Sequence, residues 1–177
     1  MRIKSKNFRL LPNSLKVLYF NCNYNSIPTD NLKFIGDNCI NLRELYLKKI
    51  YVSKNDLEYI ATRCPLLETL NISLLSTDKE GLLYFKNLRS LILFVEMQFD
   101  ISPIIDHMEK IHSLSIWSHT PINYNNSSKI KLDFGKFKDL IFLRLHNINI
   151  DSESFLTLYK CSKIKYIYIY IYIYIYI

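Results

Sequence analysis

The chain has 177 residues, 49% of them hydrophobic and 22% charged, a balance that suits a packed core and argues against wholesale disorder. Only three glycines are present, which argues against glycine-rich phosphate loops and flexible linkers. The formal charge is +7, yet the Lys and Arg are scattered singly, and groups such as Arg2–Lys6 and Lys129–Lys131 are too short for a basic tail, so nucleic acid is a disfavoured partner.

Residues 1–14 form an atypical N-terminal segment. No secretory signal is expected, because residues 1–20 begin basic and Pro12, Asn13, Ser14 and Lys16 interrupt any apolar run. No stretch of about 18 apolar residues exists to cross a bilayer, so no membrane association is expected. The Cys lie far apart, without metal-binding spacing, and point to a reducing compartment, cytoplasm or nucleus.

From residue 15 to residue 169 one template recurs: apolar, two residues, apolar, one residue, apolar. Its copies are Leu15/Leu18/Phe20, Leu42/Leu45/Leu47, Leu67/Leu70/Ile72, Leu88/Leu91/Leu93, Ile111/Leu114/Ile116 and Leu140/Leu143/Leu145, with a weaker Ile164/Ile167/Ile169. Successive starts are 27, 25, 21, 23, 29 and 24 residues apart, the range of leucine-rich repeats. Two columns outside the template support it. Three residues before each start, from the second copy on, stand Cys39, Cys64, Phe85, Met108, Phe137 and Cys161; six before stand Gly36, Ala61, Leu82, Ile105, Phe134 and Leu158. All are apolar or small. The first copy breaks both columns, with Pro12 and Arg9.

Within each copy the period-two part, such as Leu45-Tyr46-Leu47, predicts a short strand. Between copies the spacing is helical. Leu32, Ile35, Gly36 and Cys39 share one stripe, as do Leu57, Ile60, Ala61 and Cys64. Ser53 with Asp56 and Thr77 with Glu80 are expected to cap helix starts. Residues 97–110 include Pro103 and suggest a tight turn before a helix; residues 119–128 suggest a loop; residues 151–160 suggest a helix. Residues 166–177 are consecutive Tyr-Ile pairs. The first pairs can complete a seventh strand, and residues 170–177 are set apart as a low-complexity tail. A strand with no polar face and little charge is an aggregation-prone edge, and the run reads as a translated dinucleotide repeat of alternating T and A, the rival reading being an oligomerisation strand.

The expected fold is therefore α/β. Parallel strands would line the concave face of a leucine-rich-repeat solenoid, with helices and short turns on the convex face. The stretches LEYIATRCPLLETLNIS (57–73) and NLKFIGDNCINLRELYL (31–47), with KCSKIKYIYI (160–169) as a poorer echo, resemble the cysteine-containing leucine-rich repeats common in F-box proteins. The resemblance implies a ribonuclease-inhibitor-like horseshoe whose repeats capture a protein for a ubiquitin ligase. Fourteen residues precede the first repeat, too few for an F-box, so a ligase adaptor is expected as a partner only where an F-box lies upstream.

Catalytic chemistry finds no support. There is no nucleotide loop, nucleophile elbow or HExxH, and His107, His112, His119 and His146 lack a metal spacing. Cys39, Cys64 and Cys161 share a column with Phe and Met and read as core. No enzyme activity, cofactor or metal is expected. Asn71, Asn125 and Asn126 open glycosylation sequons that carry no meaning without secretion. The register instead points outward. Two columns, Tyr19, Tyr46, Asn71, Ile92, Ser115, Arg144 and Asn21, Lys48, Ser73, Phe94, Trp117, His146, face the concave side. From them Tyr19, Tyr46, Lys48, Ile92, Phe94, Trp117, Arg144 and His146 are expected to bind a protein, since outward aromatics and Arg are what interfaces use. The sequence leaves a nucleic-acid-binding repeat protein, and a truncated gene product without a present role, as alternatives.

Overall fold

The computed structural model describes residues 9–21, 30–95, 107–118 and 131–170. The expected loop at 119–128, residues 97–106 of the turn and helix expected at 97–110, and the Tyr-Ile residues 171–177 lie outside these; residues 107–110 form turns where the helix was expected. The chain is α/β, with parallel strands joined by helices. It divides into two compact units, Met1–Leu88 and Arg89–Ile177.

The first unit holds β1 (Val17–Asn21), β2 (Glu44–Tyr51) and β3 (Thr69–Leu74), paired parallel in that order. Parallel neighbours need crossovers. These are α1 (Asp30–Asn38) and α2 (Lys54–Arg63). The template residues fall into rows, Leu18–Leu45–Leu70 and Phe20–Leu47–Ile72. Leu45, Leu47, Leu70 and Ile72 are wholly buried, facing Leu32, Ile35, Leu57 and Ile60 of the helices, themselves buried. Gly36 is the one small residue on the α1 stripe for a steric reason. A Cβ there would stand 3.0 Å from the Tyr59 ring of α2, whose hydroxyl donates to Asp37.

Helix starts divide the expectations. Ser53 caps α2, accepting from the Asp56 amide at 3.2 Å while its hydroxyl donates to the Asp56 carboxylate at 2.6 Å. The Thr77–Glu80 box does not form. Residues Ser76–Tyr84 are a 3₁₀ helix with Leu75 at its cap and no side-chain cap bond. Thr77 donates to Asp78 instead, and Glu80 pairs with Lys54 at 3.0 Å. This repeat is the shortest, and a 3₁₀ helix rises about 2.0 Å per residue against roughly 1.5 Å in an α-helix, so fewer residues cover the return path.

The second unit holds β4 (Ser90–Val95), β5 (Ser113–Ser118), β6 (Phe142–His146) and β7 (Tyr166–Tyr170), again parallel in chain order. Its rows are Leu91–Leu114–Leu143–Ile167 and Leu93–Ile116–Leu145–Ile169. The expected helix at 151–160 is divided between α and 3₁₀: α3 (Ser152–Thr157), capped by Asp151, then a 3₁₀ turn over Leu158–Lys160. The seventh copy is correct in register but not in burial. Leu143 is 0% exposed and Leu145 1%, whereas Ile167 is 45% and Ile169 41%. Among the described residues no further strand covers β7, so its core-side isoleucines lie open. Tyr170, assigned to the tail from the pattern, is the last residue of this strand.

The cysteine column closes each turn. The amides of Leu42, Leu67, Ile111, Leu140 and Ile164 donate to the carbonyls of Cys39, Cys64, Met108, Phe137 and Cys161, three residues back, at 3.0–3.2 Å. One carbonyl before each strand then receives two amides from the following repeat: Arg43 from Glu68 and Thr69, His112 from Ile141 and Phe142, Ile141 from Lys165 and Tyr166. These paired bonds lie at the start of each strand and fix its register with the next.

Candidate functional site

Alternation along a strand sends the residues between the buried leucines to the opposite face. In the second unit that face carries two rows: Ile92–Ser115–Arg144–Tyr168 and Phe94–Trp117–His146–Tyr170. The second row is a stack of rings. Phe94 and Trp117 lie 5.8 Å apart at 24°, Trp117 and His146 4.6 Å apart at 26°, and His146 and Tyr170 5.8 Å apart at 41°. Neighbours in a parallel sheet stand about 4.8 Å apart, so same-row rings meet face to face in the offset geometry that aromatic pairs prefer.

Arg144 occupies the adjoining row. Its guanidinium carbon lies 5.7 Å from the Trp117 ring, 5.2 Å from Phe142 and 5.1 Å from Tyr168, all within cation–π range. Its Nε is buried and has no hydrogen-bond partner among the described residues. Ile92, Phe94, Trp117, Arg144 and His146 are all half-buried, and Ser115 beside them is buried. The second unit thus gathers five of the expected binding residues into one continuous patch.

The first unit holds the other three. Tyr19 and Tyr46 meet at 5.5 Å, with Tyr19 59% exposed and the Tyr46 hydroxyl donating to Glu44 at 2.9 Å. Partial burial, followed by that bond to the Glu44 carboxylate, raises the Tyr46 phenol above its ordinary value. Lys48 departs from the expected row. It pairs with Asn21, but the register breaks after Leu47, and Ser73 stands opposite Tyr51 instead. The bulge arises because β2 inserts Lys48–Ile50 where β3 has no counterpart, and Ile50, 1% exposed, anchors that insertion in the core. Asn71 of the sequon is 9% exposed, too buried to carry a glycan.

Three contributors escaped the sequence reading: Phe142, Tyr168 and Tyr170. Tyr168 and Tyr170 sit at the same offsets from Ile164 as Arg144 and His146 do from Leu140. Extending the two outward columns by one copy would have found them.

No metal-binding group of His, Cys, Asp and Glu occurs among the described residues, and no helix among them is long and apolar enough to cross a membrane. Cys39, Cys64 and Cys161 are buried as free thiols. The Cys64 Sγ–H donates to the Cys39 carbonyl at 3.3 Å, and that of Cys161 to the Phe134 carbonyl at 3.0 Å. Burial pushes the Cys39 thiol up to about 11 and, with Cys39 nearby, the Cys64 thiol up to about 12, the wrong direction for a nucleophile.

No protein-family model matches the chain, and no curated protein matches it.

Proposed function

We propose that this chain is a non-catalytic protein-interaction module of the leucine-rich-repeat kind, a curved solenoid whose strand-lined concave face captures a protein partner in the cytoplasm or nucleus. Where an F-box accompanies it, that capture would serve substrate recognition by a ubiquitin ligase. The observation that carries this reading is the ring stack Phe94–Trp117–His146 with Arg144 beside it, on the sheet face opposite the leucine core. Aromatic and Arg side chains, half-buried yet not in the core, are the residues interface hot spots draw on.

The test is affinity capture with the full chain and with its Trp117→Ala form, read by mass spectrometry beside a thermal-unfolding curve. Truncating a hot spot costs about 2 kcal/mol or more, roughly thirtyfold in affinity. Proteins captured by the parent chain are therefore expected to vanish from the Trp117→Ala eluate while cooperative unfolding persists. Identical captures by the two forms would defeat the proposal.

A further inference from the structure

Building on the interaction-face reading above, we propose that Arg144 is an anion subsite on this face and that it takes a carboxylate of an acidic, apolar-flanked peptide segment of the partner. The guanidinium is ringed by Trp117, Phe142 and Tyr168 at 5.1–5.7 Å. Rings can hold the flat faces of a guanidinium, but they accept nothing along its N–H edges, which are five donors in a fixed fork. Its buried Nε–H has no acceptor among the described residues. A buried N–H without an acceptor is costly unless a ligand supplies one.

Three acids of this unit, among the described residues, have other work. Asp139 is paired with Lys163, while Asp133 and Asp151 cap helical turns, accepting from the amides of Gly135 and Ser154. Residues 119–130, which follow β5 directly, contain no Asp or Glu. The rings around Arg144 serve a second purpose. They lower the local dielectric and so strengthen a charge-assisted bond to an incoming carboxylate. Phe94, Trp117 and Ile92 alongside offer apolar contact to the residues flanking that carboxylate. The match is thus a single negative charge set in an apolar segment, rather than a run of phosphates, which would call for a row of cations that this face lacks among its described residues.

The chain reports on this site itself, because Trp117 is its only tryptophan and lies beside Arg144. The probe is a blocked pentapeptide with one central Glu flanked on each side by two Leu, titrated into the full chain while Trp fluorescence is followed, beside its Gln twin and single-stranded oligouridine. Saturable change with the Glu peptide is expected, weaker by about tenfold or more with the Gln twin, since charge-assisted bonds are about twice as strong as neutral ones. Arg144→Gln should erase the difference between the twins, and Arg144→Lys, which keeps charge but not the fork, should restore part of it. Equal binding of the twins by the parent chain overturns the inference without any variant having to fold. Saturation by oligouridine with none by the Glu peptide overturns it in favour of phosphate recognition. Trp117→Ala keeping every captured protein would instead defeat the broader interaction-face reading, whatever the twins do.

Discussion

The cysteines show how one residue type answers two demands. Where a cysteine closes a turn it can give the core an apolar group and also offer a donor to a carbonyl of the preceding repeat. Cys64 supplies both, at 1% exposure and 3.3 Å from the Cys39 carbonyl. Its thiol stands at about 12 in the folded chain against an ordinary 9.0, with burial the main cause. A raised folded value means that the native state holds its proton longer than the unfolded chain does. The associated stability is complete below about pH 9 and drains away as pH climbs through the folded value. Urea midpoints are expected to hold steady up to about pH 9 and to fall above it, and Cys64→Ala should be less stable near neutrality but lose less of its stability on the alkaline side. A Cys64→Ala decline as steep as the parent's would show that the thiol is not the group responsible. Asn147 makes a parallel point about backbone. It is the one described non-glycine residue with positive φ, at 53°, a conformation Asn tolerates better than most, and its amide reaches the Tyr170 carbonyl at 2.8 Å.

At the scale of elements, local chemistry decides helix type only where the chain has length to spare. Ser53 and Asp56 exchange bonds at the start of α2, a full three-turn helix, so Ser53→Ala is expected to cost about 1 kcal/mol in chemical denaturation. Thr77→Ala should stay within roughly 0.5 kcal/mol, because Thr77 is exposed and bonds only its neighbour Asp78. Equal costs would mean that the two caps are equivalent after all. The failure of the second cap was not legible, since the capping pattern is local whereas the choice of 3₁₀ over α follows from how many residues must span the crossover. The β2 bulge escaped notice for a similar reason. Lys48 fits an outward position by counting from Leu42, and only Ile50 turning into the core moves the frame.

Across the molecule, the pairing rows were readable because the template is redundant. Every strand repeats the same apolar spacing, and the independent column of Cys39, Cys64, Phe85, Met108, Phe137 and Cys161 is buried throughout. The outward rows were readable by the same count, which is why Trp117, His146 and Arg144 meet where the register placed them. What the count could not supply was contact. That Arg144 sits among three rings depends on side-chain reach across strands, and one of those rings, Tyr168, belongs to a run whose monotony hid its position.

The open core side of β7 also sets a direction for motion. A strand held along one edge among the described residues, with Ile167 and Ile169 uncovered, has less to lose on detaching than β5 or β6, which are paired on both sides. Amide deuterium uptake should consequently run as a gradient, fastest at Tyr166–Tyr170, slower in Phe142–His146 and slowest in Ser113–Ser118, as brief peeling from that end exposes one layer after the next. Uniform uptake over the three segments would show that they open together.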